Sequence, residues 1–342
     1  MGKNLNTLRI GVIGCGRISV RHFSSAETLP EAKLVACADI KEERAIEAGN
    51  KYGITPYKDY KEMIEKENLD VVHICLPHNL HAEVSSYALS KGVNVLTEKP
   101  MAIDYQSAVK TVEDAKKYGK LFGVIFQCRY NDASVFVKER LASGKLGKII
   151  SARSTLTWTR PDDYYSSSDW KGTWEYEGGG VVIDQAIHSI DLVNWLIDDQ
   201  VDSVSVSMAN RGHKSVNVED SAEGLITYKN GVRYGFYCMN NYGCDEPIEI
   251  RLYCENAKVV FTYNDAYVTY NDGTVEECHQ DRNAVVRDGG KEYWGYRHIT
   301  QIKQFYNACL GKEELEISGA EALKTHKLIC DIYDKGKETM KL

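Results

Sequence analysis

Proline is scarce, with six in 342 residues, and the chain has no proline-rich linker, low-complexity tract or internal repeat. Nothing in the sequence therefore marks a disordered arm or a solenoid. No apolar run approaches the roughly 20 residues that cross a bilayer, so a membrane partner is not expected. The start, MGKNLNTLRI, lacks a basic segment followed by an apolar stretch and a small-residue cleavage site. A secretory leader is therefore not expected, and a cytoplasmic location is. Asn6 stands where myristoylation of Gly2 would need Ser or Thr. An excess of positive charge is missing too: Lys+Arg is 42 against Asp+Glu 49, a net −7. Clustered cations are what a phosphate backbone requires, so nucleic acid is not an expected partner. Cysteine is present ten times but never as C-x-x-C. Cys37 and Cys75 sit in apolar, strand-like runs and read as small buried hydrophobes, not as disulfide partners or zinc ligands.

What is present is an ordinary globular composition, 43% hydrophobic and 27% charged. At roughly 100–200 residues per domain, the length suggests two domains. Up to residue 125, short β-branched runs alternate with helical stretches. The runs are Leu8–Ile13, Leu34–Ala38, Val71–Leu76, Val93–Thr97 and Leu121–Phe126. The helices are Lys41–Tyr52, Tyr60–Lys66, Ala82–Lys91 and Tyr105–Tyr118. Nearly continuous apolar strands separated by helices indicate a doubly wound parallel sheet, an α/β domain over 1–125. From 126 to 342 the pattern changes to α+β with an open, largely antiparallel sheet. A helix is expected over Asp132–Ser143, a strand over Ile149–Thr159, a long loop over 160–180 and a helix over Asp184–Ile197. Further strands follow, with turns at Lys229-Asn230-Gly231 and Asn271-Asp272-Gly273, and then helices His298–Leu310 and Gly319–Lys337.

The first strand runs into Gly14-Cys15-Gly16-Arg17-Ile18-Ser19, a G-x-G-x-x-S turn at the mouth of a helix. Gly14 permits the tight turn, Gly16 lets the backbone approach a pyrophosphate, and Ser19 is small enough for helix–strand packing. The second strand ends at Asp39, about 20 residues beyond, where a carboxylate accepts hydrogen bonds from a ribose and repels a 2′-phosphate. The pattern points to a dinucleotide, NAD ahead of NADP, held by Gly14, Gly16, Arg17, Ile18 and Asp39.

Two further motifs carry chemistry. The fifth strand ends in Glu98-Lys99-Pro100, at the carboxyl edge where such sheets bind ligands. The segment Gly178-Gly179-Gly180 leads to Asp184 and His188, four residues apart and so on one helix face. Asp191, three further on, is placed to orient the imidazole. No third or fourth metal ligand accompanies them, so no metal is expected. Together these motifs resemble the glucose–fructose oxidoreductase/inositol dehydrogenase (Gfo/Idh/MocA) family, over essentially the whole chain. The segment Leu76-Pro77-His78-Asn79-Leu80-His81 is similar to the family's cofactor-lining stretch after the fourth strand.

The resemblance implies an N-terminal Rossmann domain and a C-terminal domain whose open sheet mediates a homodimer or homotetramer. It implies hydride transfer between nicotinamide and a secondary alcohol of a sugar, cyclitol or sugar derivative. Lys99, Asp184 and His188 are then the catalytic set, with His188 as the base. Leu76, Pro77, Asn79, His81, Glu98, Lys99 and Gln127 join the cofactor site. Arg129, Tyr130, Trp158 and Tyr165 join Lys99, Asp184 and His188 at the substrate, and Arg160, Tyr164 and Trp170 are further candidates. Lys171 replaces an arginine usual in one branch of the family and loses its bidentate fork. His22, His213, His279, His298 and His326 are assigned no catalytic role. One alternative uses the same residues, an NAD-dependent glycosidase or lyase working through transient sugar oxidation; a second is a noncatalytic NAD-binding regulator, against which the intact Lys99, Asp184 and His188 set weighs.

Overall fold

A computed structural model describes residues 7–280 and 297–340, which form two compact units. The first comprises the described chain up to Gln127 together with Arg297–Lys324, and the second comprises the rest. The first unit thus ends close to the expected boundary at 125, but it also takes in a helix from near the C-terminus.

In the first unit, strands β1 (Leu8–Ile13), β2 (Ala32–Ala38), β3 (Thr55–Tyr57), β4 (Val71–Ile74), β5 (Asn94–Thr97) and β6 (Phe122–Val124) form one parallel sheet. Their order is β3-β2-β1-β4-β5-β6, which reverses direction between β1 and β4. Helices α1 (Ser19–Thr28), α2 (Glu42–Tyr52), α3 (Tyr60–Lys66), α4 (His78–Ser90) and α5 (Tyr105–Tyr118) make the crossovers. Their ends follow local chemistry. Asp59 and Asp104 accept backbone amides at the starts of α3 and α5, and Gly119 closes α5 in the left-handed region at φ 62°. Helix α9 (His298–Cys309) lays Ile302, Phe305 and Tyr306 into a core with Ile10, Ala26, Val71 and Leu96. That contact is why it belongs with the first unit.

The second unit contains an eight-stranded sheet in the order β14-β13-β12-β11-β7-β10-β9-β8. The strands are β7 (Ile149–Thr157), β8 (Val201–Ala209), β9 (Ser221–Tyr228), β10 (Arg233–Met239), β11 (Glu249–Cys254), β12 (Ala257–Phe261), β13 (Asp265–Tyr270) and β14 (Val275–His279). All neighbours are antiparallel except β7 and β10. Side chains alternate: Tyr234, Phe236 and Cys238 are buried while Arg233 is exposed. Helices α6 (Asp132–Ala142) and α8 (Ile187–Ile197) pack on the buried face. A short helix, α7 (Asp162–Ser166), lies within the expected loop, and α10 (Gly319–Gly336) ends the described chain. The expected helix over Asp184–Ile197 is not uniform. It begins as a single π-turn, Val182–Ala186, and becomes α-helical only at Ile187.

Candidate functional site

Within the first unit, the carboxyl ends of β1, β2, β4, β5 and β6 carry the expected cofactor residues. Gly14 has φ 91°, and a Cβ there would run into the Cys75 carbonyl, so only glycine fits this turn. Nothing lies within 4 Å of where a Cβ of Gly16 would stand. Ser19 donates its hydroxyl to the Gly16 carbonyl at 2.6 Å, which gives the serine of the motif a role in closing the turn. Asp39 accepts Cys15 N–H on one oxygen and Lys41 N–H on the other, both at 2.8 Å. Arg17 is exposed and Ile18 half-buried as α1 begins. The tight turn, the open approach at Gly16, a helix N-terminus and a fixed carboxylate together fit a dinucleotide.

Leu76 and Pro77 lead into α4, whose first turn includes Asn79. His81 is buried with Nδ1 at 2.6 Å from the Pro100 carbonyl and Nε2 at 2.8 Å from the Leu76 carbonyl. It therefore ties the loop after β4 to the loop after β5. Burial lowers its pKa, ahead of the two carbonyls that favour protonation.

Glu98 is buried, and its surroundings are ones that sequence spacing did not reveal. His22 from α1 and His298 from α9 stand with Nε2 at 3.0 and 3.3 Å from Oε1, while Lys99 N–H donates to Oε2 at 3.3 Å. His22 Nδ1 is 3.0 Å from His73 Nδ1, and His73 Nε2 is 3.0 Å from the Tyr306 hydroxyl. A carboxylate only accepts, so His22 donates from Nε2 to Glu98. Burial pushes the Glu98 carboxyl up, but the hydrogen bonds from His22 and His298 outweigh it and hold the pKa well below the usual range. Burial pulls His73 and His298 down. Lys99 itself is half-buried and precedes a cis peptide to Pro100. Gln127, also buried, opens the short 3₁₀ turn Gln127–Tyr130.

Within the second unit, the glycine triplet and the π-turn bring Asp184 and His188 onto adjoining turns. A Cβ on Gly179 would overlap the Tyr333 hydroxyl, and one on Gly180 would overlap the Glu219 carbonyl. The buried Glu219 carboxyl accepts Gly180 N–H at 2.9 Å, Val182 N–H at 3.0 Å and the Tyr333 hydroxyl at 2.7 Å. Tyr333 in turn accepts Ile183 N–H at 3.1 Å. A π-turn leaves backbone groups that need such partners, and it recurs at functional sites.

Asp184 receives three donors on Oδ2: Gln185 Nε2 at 2.6 Å, Tyr164 at 3.0 Å and Lys171 Nζ at 3.1 Å. Lys171 also contacts the Tyr164 hydroxyl at 2.5 Å and lies 3.6 Å from Glu177. Burial opposes the Lys171 charge, but Asp184, Tyr164 and Glu177 raise its pKa. Burial pushes Glu177 up to about 8, against the pull of Lys171. The lysine that replaces arginine at 171 thus has a defined partner in Asp184.

The remaining candidates divide. Asp191, expected to orient His188, instead binds Arg129 through two contacts at 2.8 and 2.6 Å and accepts the Thr325 hydroxyl at 2.7 Å. Arg129 is buried in that pair, with Tyr130 closing the same 3₁₀ turn. Trp158 is buried, donates to the Glu246 carbonyl at 3.1 Å and lies under the Arg160 guanidinium. Tyr165 is buried and its hydroxyl accepts from Asn240 at 2.8 Å. Trp170 stands beside the Lys171 ammonium. Of the histidines assigned no catalytic role, only His279 is exposed. Among the described residues, no three His, Cys, Asp or Glu side chains are grouped to hold a metal ion, and no helix is long and apolar enough to cross a membrane.

Comparison with known proteins places both parts of the chain in one family. Residues 8–126 match the family model described as an oxidoreductase family with an NAD-binding Rossmann fold, and residues 135–260 match the GFO/IDH/MocA C-terminal domain. The inositol 2-dehydrogenase of Rubrobacter xylanophilus is 32% identical over 251 residues, covering 71% of this chain and 68% of that protein. The myo-inositol 2-dehydrogenase of Thermotoga maritima is 28% identical over 268 residues, covering 73% and 76%. The WlbA dehydrogenase from Bordetella pertussis, solved with NADH and UDP-GlcNAcA, superposes with a TM-score of 0.84 at 25% identity over 97% of each chain. With both halves of the family matched and the turn, the carboxylate and the glycine triplet in place, the chain belongs to the Gfo/Idh/MocA family of NAD-binding oxidoreductases.

Proposed function

We propose that the protein is a dehydrogenase acting on a secondary alcohol of a sugar, cyclitol or sugar derivative. NAD, when bound, supplies the hydride acceptor. The observation that carries the reading is Asp184, fixed by three donors on one carboxylate oxygen, on the turn that leads directly into His188. His188 takes the hydroxyl proton, because an imidazole titrates near neutral pH. Lys99 offers an ammonium to the developing alkoxide, or shares the proton with His188. Asp184 accepts a neighbouring hydroxyl and so orients the ring. Similarity to inositol dehydrogenases and to an enzyme solved with a nucleotide sugar supports this substrate class. The relatives named above are dehydrogenases, and none lends support to glycoside cleavage.

The test is a panel of cyclitols, sugars and sugar acids, read by NADH absorbance and by product analysis. NADH formation without bond cleavage is expected. Aglycone release without net NADH would replace this reading with the lyase alternative. On the best substrate, Lys99→Ala and His188→Ala should each lower kcat by roughly 10²–10⁴. NAD affinity should change far less, because the turn residues and Asp39 are untouched. Asp184→Ala should raise KM as well as lower kcat. Near-normal turnover in both Lys99→Ala and His188→Ala would move the active site elsewhere.

A further inference from the structure

One of the three donors on Asp184 is the primary amide of Gln185, and a primary amide has two unlike ends. Turned one way it offers N–H to the carboxylate; turned the other way it sets its oxygen against it. Asp184 pairs with the Lys171 ammonium at 3.1 Å as a carboxylate, which only accepts, so Gln185 donates from Nε2, at 2.6 Å. Gln185 Oε1 is then the end that faces away, and it accepts from Asn240 Nδ2 at 2.9 Å. The other N–H of Asn240 goes to the Tyr165 hydroxyl at 2.8 Å. Both amides are thereby oriented in one sequence, from Asn240 through Gln185 to Asp184, and each link has one donor and one acceptor.

This relay starts from fixed backbone. Asn240 directly follows β10; its N–H donates to the Asp220 carbonyl at 2.9 Å, and its own carbonyl accepts Arg160 N–H at 2.7 Å. Asn240, Gln185 and Tyr165 are all buried. Asn240 Oδ1 is buried as well and has no hydrogen-bond partner among the described residues. Turning the Asn240 amide over would set Oδ1 against Gln185 Oε1, oxygen on oxygen. An unmet buried acceptor is destabilising, and the chain carries one here while keeping N–H on Gln185. We propose that Asn240 is a positioning residue for Asp184: acting through Gln185, it keeps the amide hydrogens turned to the carboxylate assigned to the substrate hydroxyl. Without Asn240, Gln185 has no donor to hold its oxygen away from Asp184, and a ring hydroxyl meets a less firmly placed carboxylate. The inference rests on the reading of Asp184 as a substrate contact and extends it to a residue 56 positions further along the chain, a distance given by 240 − 184.

The first measurement needs no substrate. In a proton–nitrogen correlation spectrum of the intact protein, the Gln185 side-chain amide is identified by its loss in Gln185→Leu. Asn240→Leu, close in shape and without a donor, should shift that amide and speed its exchange with water on the order of tenfold. An unchanged Gln185 amide overturns the proposal. The second measurement is a double-mutant cycle on the panel substrate with the highest kcat/KM. Asn240→Leu and Gln185→Leu should each raise KM roughly tenfold, the worth of one hydrogen bond to a charged group. The two together should stay within about twofold of Gln185→Leu alone, because Asn240 acts only through Gln185. Effects that multiply would make Asn240 a packing residue and overturn the proposal, as would a wild-type KM in Asn240→Leu. Should Asn240→Leu fail to fold, Asn240→Ala replaces it in both measurements, and the same outcomes decide. Asp184→Ala separates the two levels of the argument. A normal KM there counts against Asp184 as a substrate contact, whereas a raised KM there with a normal KM in the Asn240 variant counts against Asn240 alone.

Discussion

Asp39 holds its carboxylate between two backbone amides, one on the glycine turn and one beyond the strand, so its charge is fixed at the end of β2; a carboxylate at that position of a Rossmann unit opposes a 2′-phosphate. Asp39→Ser removes that charge and should improve NADP affinity relative to NAD on the order of tenfold, measured by calorimetry. A wild-type protein that prefers NADP would sink this account. Glu177 makes a second prediction, about pH. Its carboxyl is pushed up to about 8 by burial, with Asp184 adding to the shift and Lys171 opposing it. Glu219 is raised to about 7, again by burial. Both folded values lie above the unfolded value of about 4.5, so the proton is bound more tightly in the folded state. The stability they contribute is complete below about pH 4.5 and is lost as pH rises through about 7 and 8. Thermal melts should therefore show Tm falling from about pH 5 to pH 9, with Glu177→Gln gaining a few degrees at the alkaline end and almost nothing at pH 5. A variant that melts in parallel with the wild type at every pH would show that Glu177 ionises normally.

The π-turn is the element that carries Asp184 and leads into His188, and its support comes from far along the chain. Glu219 and Tyr333 hold the amides of Gly180, Val182 and Ile183. Tyr333→Phe removes one donor to a buried carboxyl and the acceptor for Ile183 N–H. It should cost about 1–3 kcal/mol in urea unfolding and lower kcat more than NAD affinity. A variant with full stability and full turnover would show that the turn holds itself. This support also explains what the sequence could and could not reveal. Tyr60–Lys66 and Tyr105–Tyr118 were legible to the residue because Asp59, Asp104 and Gly119 announce their ends locally. The Gly14–Asp39 pattern was legible because a short turn and one strand contain it. The π-turn was not, since an apolar repeat looks alike in either helix type and the deciding partners lie at 219 and 333. For the same reason Asp191 was given to His188, its neighbour along the helix, when Arg129 holds it. The histidines around Glu98 come from α1, β4 and α9, and only the folded sheet brings them to one carboxylate.

At the scale of the molecule, the second unit's sheet, among the described residues, has one face covered by helices and one that carries exposed side chains. Helices α6 and α8 pack on the face that carries Tyr234, Phe236, Ile250 and Val259. On the other face the strand register lines up Ser205, Leu225, Gly235, Arg153, Arg251, Val260, Tyr267 and Glu277 from β8 across to β14. Leu225 is 43% exposed and Tyr267 40% exposed. A row of eight strands that mixes arginines, a glutamate, a leucine and an aromatic is neither the uniformly polar face of a solvated sheet nor a dry core. It has the composition of an interface, apolar anchors among charged groups that can pair across a two-fold axis. We therefore expect this face to join copies of the chain into a homodimer or homotetramer, by antiparallel stacking of like on like. Light scattering at micromolar concentration should report a multiple of the 38.6 kDa chain mass. Leu225→Asp and Tyr267→Asp each put a carboxylate within such a contact, on the second strand from either edge, without touching the buried face. They should shift the population toward monomer while each unit's melting changes little, because surface substitutions away from the core rarely move stability by more than about 0.5 kcal/mol. A wild-type monomer, or a wild-type oligomer indifferent to both substitutions, would mean that this face stays in water and that any assembly uses another surface.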